Sequence, residues 1–318
     1  MKTMTGTPSD ESRYVLISPC RNEAEYLHET FESVLGQTLL PSRWIIVDDG
    51  STDDTAELLA RYAAGREWIT VISRPDRGHR SVGPGVVDAF YCGFRSIDTH
   101  DFDYLCKLDL DLRLPRRYFE ILVERMGADP RIATCSGKAY VRENGRLANE
   151  RHGDDTSLGM TKFYRMSCFT AIGGFVREVM WDGIDCHLCR MNGWIACSWD
   201  DPELRFIHLR PMGSSQQSIW TGRKRHGYGQ YFMGTGPVYM AASALSRINQ
   251  KPYLIGSVAM MWGWLHAALR HTPRFGDERF RTFLRAYQRN AMLRGKHRAL
   301  AVRSGINPHF QVTRTKCF

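Results

Sequence analysis

Near the start of the chain, three short apolar runs alternate with segments of helical period, and this pattern limits the fold more than any other feature. "YVLISP", residues 14–19, is a continuous apolar run ending at Pro19, as in a strand buried on both faces. Leu27, Phe31, Val34 and Leu35 then recur at helical spacing up to Gly36. "RWIIVDDGSTDDT" gives a second strand over residues 44–47, which stops at two aspartates and a glycine. Thr52 or Asp53 is placed to cap the helix that follows, whose stripe is Ala56, Leu59 and Ala60. "WITVISR", residues 68–74, is a third strand, and the loop "RPDRGHRSVGPG" leads into helical "VVDAFYCGF". This order and spacing predict a doubly wound α/β sheet flanked by helices. Ligands of such sheets bind beyond the carboxyl ends of the strands.

"KLDLDLRLP", residues 107–115, closes this half. Read as a strand, it turns Leu108, Leu110, Leu112 and Leu114 to a core and sets Asp109 and Asp111 on the opposite face. Taken alone, it is either a wet strand face balanced by Lys107 and Arg113 or a pair of acids aimed at a ligand. Topology favours the second reading, because Asp48 and Asp49 end another strand and the two acid pairs would then share one crevice.

The 318 residues are 43% hydrophobic and 24% charged, enough for one large domain or two small ones. The opening "MKTMTGTPSDESRY" has no apolar core of a signal peptide, so a cytoplasmic protein with a flexible tail over residues 1–12 is expected. Nine cysteines without a framework suit a reducing compartment. Cys186 and Cys189 form a single C-x-x-C beside His187 and Cys197; lacking a second such pair, they read as small buried hydrophobes. The net charge of +9 is concentrated at the end of the chain, where residues 271–318 hold eleven Lys/Arg against two acids. One end of the molecule is therefore expected to meet an anionic surface, lipid or nucleic acid being the usual ones.

In the second half, "RIATCSGKAYVRENG" reads as a strand running into a turn at Asn144 and Gly145. "MTKFYRMSCFTAIGGF" reads as a helix stopped by Gly173 and Gly174, "WDGIDCHLCRMNGW" as a short helix and "ELRFIHLRP" as a strand. From about Met212 no further strand is predicted. The domains expected are a catalytic unit over 13–212, split into halves at 115, and a helical basic extension over 213–318.

"SPCRNEAEYLHETFESVLGQTLLPSRWIIVDDGSTDDT", followed by "DLDLRLP", "IGGF" and "WDGID", resembles the family 2 glycosyltransferases, which have the GT-A fold; the likeness spans about residues 14–210. It implies an inverting enzyme that moves a sugar from a nucleotide diphosphate to an acceptor hydroxyl, with Mg²⁺ or Mn²⁺ neutralising the leaving diphosphate. By the family pattern Asp111 is the direct metal ligand and Asp109 lies near the ribose or the metal's water shell. Pro19, Arg21 and Glu23 match the loop against base and ribose, and Asp49 matches the acid that reads the base edge. Asp48 is equally good turn chemistry in Asp-Asp-Gly-Ser. Arg77 and Arg80 are either phosphate clamps or solvated loop charges.

Asp185 aligns with the family's general base, although Ile184 replaces the usual Glu; Asp182 is the alternative base and also a candidate N-cap. His208 is either a packed histidine or a metal or phosphate contact. The implied donor is a UDP-sugar, with GDP- and dTDP-sugars open, and the implied acceptor a glycan or lipid-linked intermediate of surface polysaccharide or glycolipid assembly. Nucleic acid is not expected as a partner. A nucleotidyltransferase would show a G-x-G-T-R-like loop that is absent here, and intact acids at 49, 109, 111 and 185 argue against a decayed binding module.

The most apolar stretch, residues 253–269, is interrupted by glycines and His266 and falls short of the roughly 20 residues that cross a bilayer. Two readings are open: a helix lying in the membrane interface with Trp262 and Trp264 at headgroup level, or a buried helical hairpin. Arg270, Arg274, Arg279, Arg281 and Arg285 would grip anionic lipid in the first. The Q-x-x-R-W motif of processive synthases is missing, so a single transfer per encounter is expected.

Overall fold

A computed structural model describes residues 12–79, 81, 83–143, 145–150, 152–210, 219–248 and 253–295. The chain divides into two compact units, Met1–Cys189 with Ile195–Met212, and Arg190–Trp194 with Gly213–Phe318.

The first unit opens with β1 (Tyr14–Cys20), α1 (Ala24–Leu35), β2 (Arg43–Asp48), α2 (Thr55–Ala63), β3 (Ile69–Ser73), α3 (Pro84–Phe94) and β4 (Tyr104–Leu108). It continues with β5 (Leu112–Arg113), α4 (Tyr118–Ala128), β6 (Ile132–Ser136), β7 (Lys138–Glu143), β8 (Arg146–Asn149) and β9 (Thr161–Arg165). The remaining elements are α5 (Met166–Ala171), α6 (Trp181–Met191), β10 (Ile195–Ser198) and β11 (Arg205–His208). Seven strands form the main sheet in the order β10-β6-β9-β4-β1-β2-β3, and β5-β11-β7-β8 form a second sheet. β3, β2, β1 and β4 run parallel, while β9 is antiparallel to both of its neighbours, β4 and β6, so the sheet is mixed.

The continuous apolar runs have the cause expected of them. Tyr14, Val15, Leu16 and Ile17 are all fully buried, because helices cover both faces of β1. The ring of Phe31 of α1 packs tilted 4.5 Å from Trp44 of β2, and Phe119 of α4 lies 5.1 Å from Tyr14. On the other face, Gly93 of α3 approaches Ile17, Ile45 and Val47 closely. Gly36 caps α1. Neither Thr52 nor Asp53 is the N-cap of α2; Asp54 holds that position, and Asp53 instead accepts from the Thr55 N–H at 3.1 Å.

Two expectations about local structure are corrected. Residues 160–175 are not one helix: Thr161–Arg165 is β9, in the middle of the main sheet, and α5 begins only at Met166. Buried on both faces, β9 carries no two-residue alternation to mark it. The strand carrying Asp109 ends at Leu108, so residues 109–111 form a bend and not a flat strand face. Leu108, Leu110, Leu112 and Leu114 are nevertheless all buried.

The second unit contains α7 (Ile219–Met233), α8 (Pro237–Leu245), α9 (Tyr253–Leu269) and α10 (Glu278–Arg294). α7 and α9 meet backbone to backbone. A Cβ on Gly227 would sit 1.9 Å from the Met260 carbonyl, and one on Gly263 would sit 2.0 Å from the Lys224 carbonyl. Trp264 is buried, its indole N–H donating to the Thr235 carbonyl at 3.1 Å, whereas Trp262 is exposed, so the two tryptophans do not share a level. Among the described residues no helix is long and apolar enough to cross a membrane.

Candidate active site

Parallel pairing of β1 with β2 runs through Pro19↔Val47 to Cys20↔Asp48, and β3 joins with Asp48↔Ser73. Arg21, Asp49 and Arg74 therefore emerge side by side at three adjacent carboxyl ends. The buried Asp49 carboxylate pairs with Arg74 at 2.9 Å and with Arg77. Arg21 donates to the Asp49 carbonyl and, at 2.6 Å, to Asp76. Gly50 permits this closure: its φ is +74°, and a Cβ there would lie 2.4 Å from the Asp76 Cα. Burial and the nearby Arg21 charge lower the Arg77 pKa, as crowded cations should.

Asp48 has the turn role. Its Oδ1 accepts from the Ser51 N–H at 2.9 Å and the Ser51 hydroxyl at 2.6 Å. Pro19, half-buried, is the last but one residue of β1. Arg80 lies outside the described residues.

Past the end of β4, Asp109 donates its N–H to the Met160 carbonyl at 2.8 Å, prolonging the β4–β9 ladder. Its carboxylate is paired with Lys107, which also donates to the Gly159 carbonyl at 2.9 Å. Burial, opposed by Lys107 and reinforced by the Asp111 charge, raises the Asp109 pKa.

Asp111 is placed by the other sheet. The antiparallel pair Leu112↔His208, extended by the Leu209 N–H to the Asp111 carbonyl at 2.8 Å, brings His208 and Arg210 to its side chain. Arg210 donates to Oδ2 from Nε at 3.2 Å and from Nη2 at 2.9 Å, and His208 Nε2 lies 3.6 Å from the same oxygen. Oδ1 is buried with no hydrogen-bond partner among the described residues. Burial alone would raise Asp111; His208 and Arg210 outweigh it and hold the carboxyl below its usual value.

His208 Nδ1 faces Glu150, at 3.2 and 3.1 Å from its two oxygens. Burial disfavours an imidazolium, but Asp111 and Glu150 override it and push the His208 pKa up to about 9. Arg210 also donates to both oxygens of Glu23, at 2.7 and 2.6 Å. The turn after β1 thus reaches both acid groups, Arg21 holding the Asp49 loop and Glu23 reaching Asp111 through Arg210.

The two aspartates of α6 separate. Asp185 is 1% exposed, and its carboxylate accepts Lys162 at 2.6 Å on each oxygen, the Cys186 N–H at 2.6 Å and the Tyr164 hydroxyl. Enclosed and hydrogen-bonded on both oxygens, it is not open to an incoming hydroxyl in this arrangement. Asp182 is half-buried in the first turn of the helix, not at its N-cap, with Oδ2 against Gly159. Gly159 is held by Lys107, the partner of Asp109, so Asp182 and Asp109 flank one short segment.

Sequence reasoning passed over Arg74, Glu150, Lys162 and Tyr164. Arg74 was findable, since it follows a strand end at the same edge of the sheet. Lys162 and Tyr164 were hidden by the helical reading of β9, and nothing local marks Glu150.

Comparison with known proteins places this geometry. The profile for "Glycosyl transferase family 2" matches residues 15–178. Poly-beta-1,6-N-acetyl-D-glucosamine synthase of Staphylococcus aureus (strain COL) is 26% identical over 129 residues, covering 40% of this chain and 29% of the synthase. Succinoglycan biosynthesis protein ExoA of Rhizobium meliloti (strain 1021) is 27% identical over 180 residues, covering 51% of this chain and 52% of the relative. The chain thus spans from under a third to about half the length of these relatives. Among solved structures, the mannosyltransferase PcManGT of Pyrobaculum calidifontis, in complex with GDP-Man and Mn²⁺, aligns with a TM-score of 0.50 at 16% identity, covering 94% of this chain and 87% of that one. S. aureus TarS 1-349 in complex with UDP-GlcNAc aligns with a TM-score of 0.51 at 13% identity, covering 95% of each. The mixed sheet with acids at its carboxyl edge is thus the fold of known glycosyltransferases, and the profile match over half the chain makes this protein a member of glycosyl transferase family 2.

Proposed function

We propose that the chain is an inverting, metal-dependent glycosyltransferase that moves a sugar from a nucleotide diphosphate donor to a glycan or lipid-linked acceptor in cell-surface polysaccharide or glycolipid assembly. The carrying observation is Oδ1 of Asp111, buried and without a hydrogen-bond partner among the described residues. A carboxylate oxygen removed from water without a donor is costly, and a cation is the ligand that repays it. Among the described residues no group of three His, Cys, Asp or Glu forms a ready-made cage. That suits Mg²⁺ or Mn²⁺, which are held by one or two carboxylates plus substrate phosphates.

The donors that fit are Asp111 and, beside it, Asp109. His208, its Nδ1 facing Glu150 as in a carboxylate–histidine pair, is the contact to the metal or to the diphosphate. Bound there, a divalent cation supplies Lewis-acid neutralisation of the leaving diphosphate.

The chain's own residues do the rest. Arg21, Glu23 and Asp49 frame the nucleoside, with Pro19 behind them, and Arg74 and Arg77 bring positive charge to the same edge. Asp182 takes the proton of the acceptor hydroxyl as its oxygen bonds to the anomeric carbon and the bond to the diphosphate breaks. One displacement from the face opposite the leaving group inverts the configuration. UDP-sugars are the first donors to test and GDP-sugars the second, the two classes bound by the neighbouring structures.

In a thermal-shift experiment, UDP-GlcNAc or GDP-Man with Mn²⁺ should raise the Tm of the wild type, by about 2.7 kcal/mol of stability at a hundredfold excess over Kd. Asp111→Asn should unfold cooperatively yet lose the Mn²⁺-dependent part of that shift; if it keeps it, the metal assignment is wrong. Asp182→Asn should lower kcat by about 10³-fold at nearly constant donor KM.

A further inference from the structure

Lys107 and Lys162 stand directly opposite each other across β4 and β9. Their side chains are 3% and 0% exposed. Two ammonium groups in register inside a sheet repel, and each costs several kcal/mol to desolvate unless paired. They are neutralised in different directions, Lys107 by Asp109 and Lys162 by Asp185.

Lys162 does more than pair. Its Nζ donates to both oxygens of Asp185 at 2.6 Å, to the Asp182 main-chain carbonyl at 2.7 Å and to Cys186 Sγ at 3.2 Å. Tyr164, two residues on along β9, donates its hydroxyl to Asp185. Trp181, the first residue of α6, has its ring 5.4 Å from Lys107 Nζ and 5.9 Å from Lys162 Nζ. The approach to this helix is strained, since Met180 has a φ of +64°, where a side chain is disfavoured. One buried ammonium on the sheet therefore ties down the first turn of α6, directly after this strained residue.

We propose that Lys162, Asp185 and Tyr164 are positioning residues that lock this turn so that the Asp182 carboxylate is held against Gly159, at the donor edge. The inference rests on Asp182 being the base. Bare stability explains the cluster poorly, because a buried ion pair is worth little more than an apolar pair of similar volume. It does fix geometry, and a misplacement of about 1 Å can cost about a hundredfold in rate.

The test is the double variant Lys162→Met/Asp185→Leu, measured on the Mn²⁺-dependent hydrolysis of UDP-GlcNAc or GDP-Man, whichever the wild type turns over. The expected result is an unchanged or raised Tm, a donor KM within about twofold and a kcat reduced about thirtyfold or more. Hydrogen exchange should accelerate at the Gly183 and Ile184 amides, which bond to the Met180 carbonyl. A folded double variant with wild-type kcat and unchanged exchange overturns the proposal. If the double variant does not fold, Tyr164→Phe removes one donor alone and should lower kcat at constant KM; an unchanged kcat overturns the proposal equally. Asp182→Asn, run alongside, separates the two readings. If it retains activity, the base assignment falls; if it is inactive while the double variant is fully active, only the positioning role falls.

Discussion

Asp182 occupies the space where a side chain on Gly159 would begin, and this juxtaposition ties one substitution to one catalytic group. A Cβ at position 159 would lie 2.9 Å from Asp182 Oδ2, the far end of a side chain that can swing away. Gly159→Ala should therefore leave Tm within a few degrees, since no backbone atom is in the way, while moving the carboxylate off its position. We expect kcat to fall about tenfold or more at constant donor KM. Steady-state kinetics beside a melting curve decide it, and a drop in Tm with normal turnover would contradict the account. The same neighbourhood shows what single residues conceal in a sequence. Asp185 is the better match to a family pattern, but one turn on from Asp182 its carboxylate is buried against Lys162. Only the partner on β9 reveals that it is already engaged.

At the scale of elements, legibility depended on periodicity. β1, β2 and β3 could be read because turn residues and helical stripes bound their apolar runs, and the adjacency of their carboxyl ends followed from topology. β9 could not, since Thr161, Lys162, Phe163 and Tyr164 are buried on both faces and merge in sequence with α5. Its error carried over to the site, hiding the pairing of Lys107 with Lys162. The pair α7 and α9 was legible only as an apolar, glycine-bearing stretch, because the sequence does not say which glycine meets which carbonyl. Gly263→Ala would drive a Cβ to within 2.0 Å of the Lys224 main-chain oxygen, an atom that cannot rotate away. The helices would have to separate, at a cost of about 1–3 kcal/mol or more. Thermal denaturation should show the loss, with faster hydrogen exchange over Ile219–Met233 and Tyr253–Leu269; an unchanged melt would mean that the contact is looser than drawn.

At the scale of the whole molecule, charge and exposed apolar surface are concentrated in the same part of the chain. Not one Asp or Glu occurs from residue 213 to residue 276, a span that holds seven Lys or Arg. Within it, Leu254, Ile255, Val258, Trp262, Leu265 and Leu269 of α9 are exposed at helical spacing. An acid-free, cationic segment with an apolar helix face matches an anionic lipid surface: each basic group near such a surface contributes about 1 kcal/mol, and inserted side chains add hydrophobic transfer. Nucleic acid would draw on the cations and leave the apolar face unused. The chain should therefore co-sediment with vesicles containing phosphatidylglycerol and stay in solution with pure phosphatidylcholine, and high salt should weaken binding. Val258→Glu/Trp262→Glu should reduce vesicle binding about tenfold or more, while the Mn²⁺-dependent thermal shift with a nucleotide sugar persists, because neither side chain belongs to the sheet that carries the acids. Retention of the double variant on vesicles would assign the attraction to charge alone, and binding to phosphatidylcholine at any salt would remove the electrostatic half of the argument.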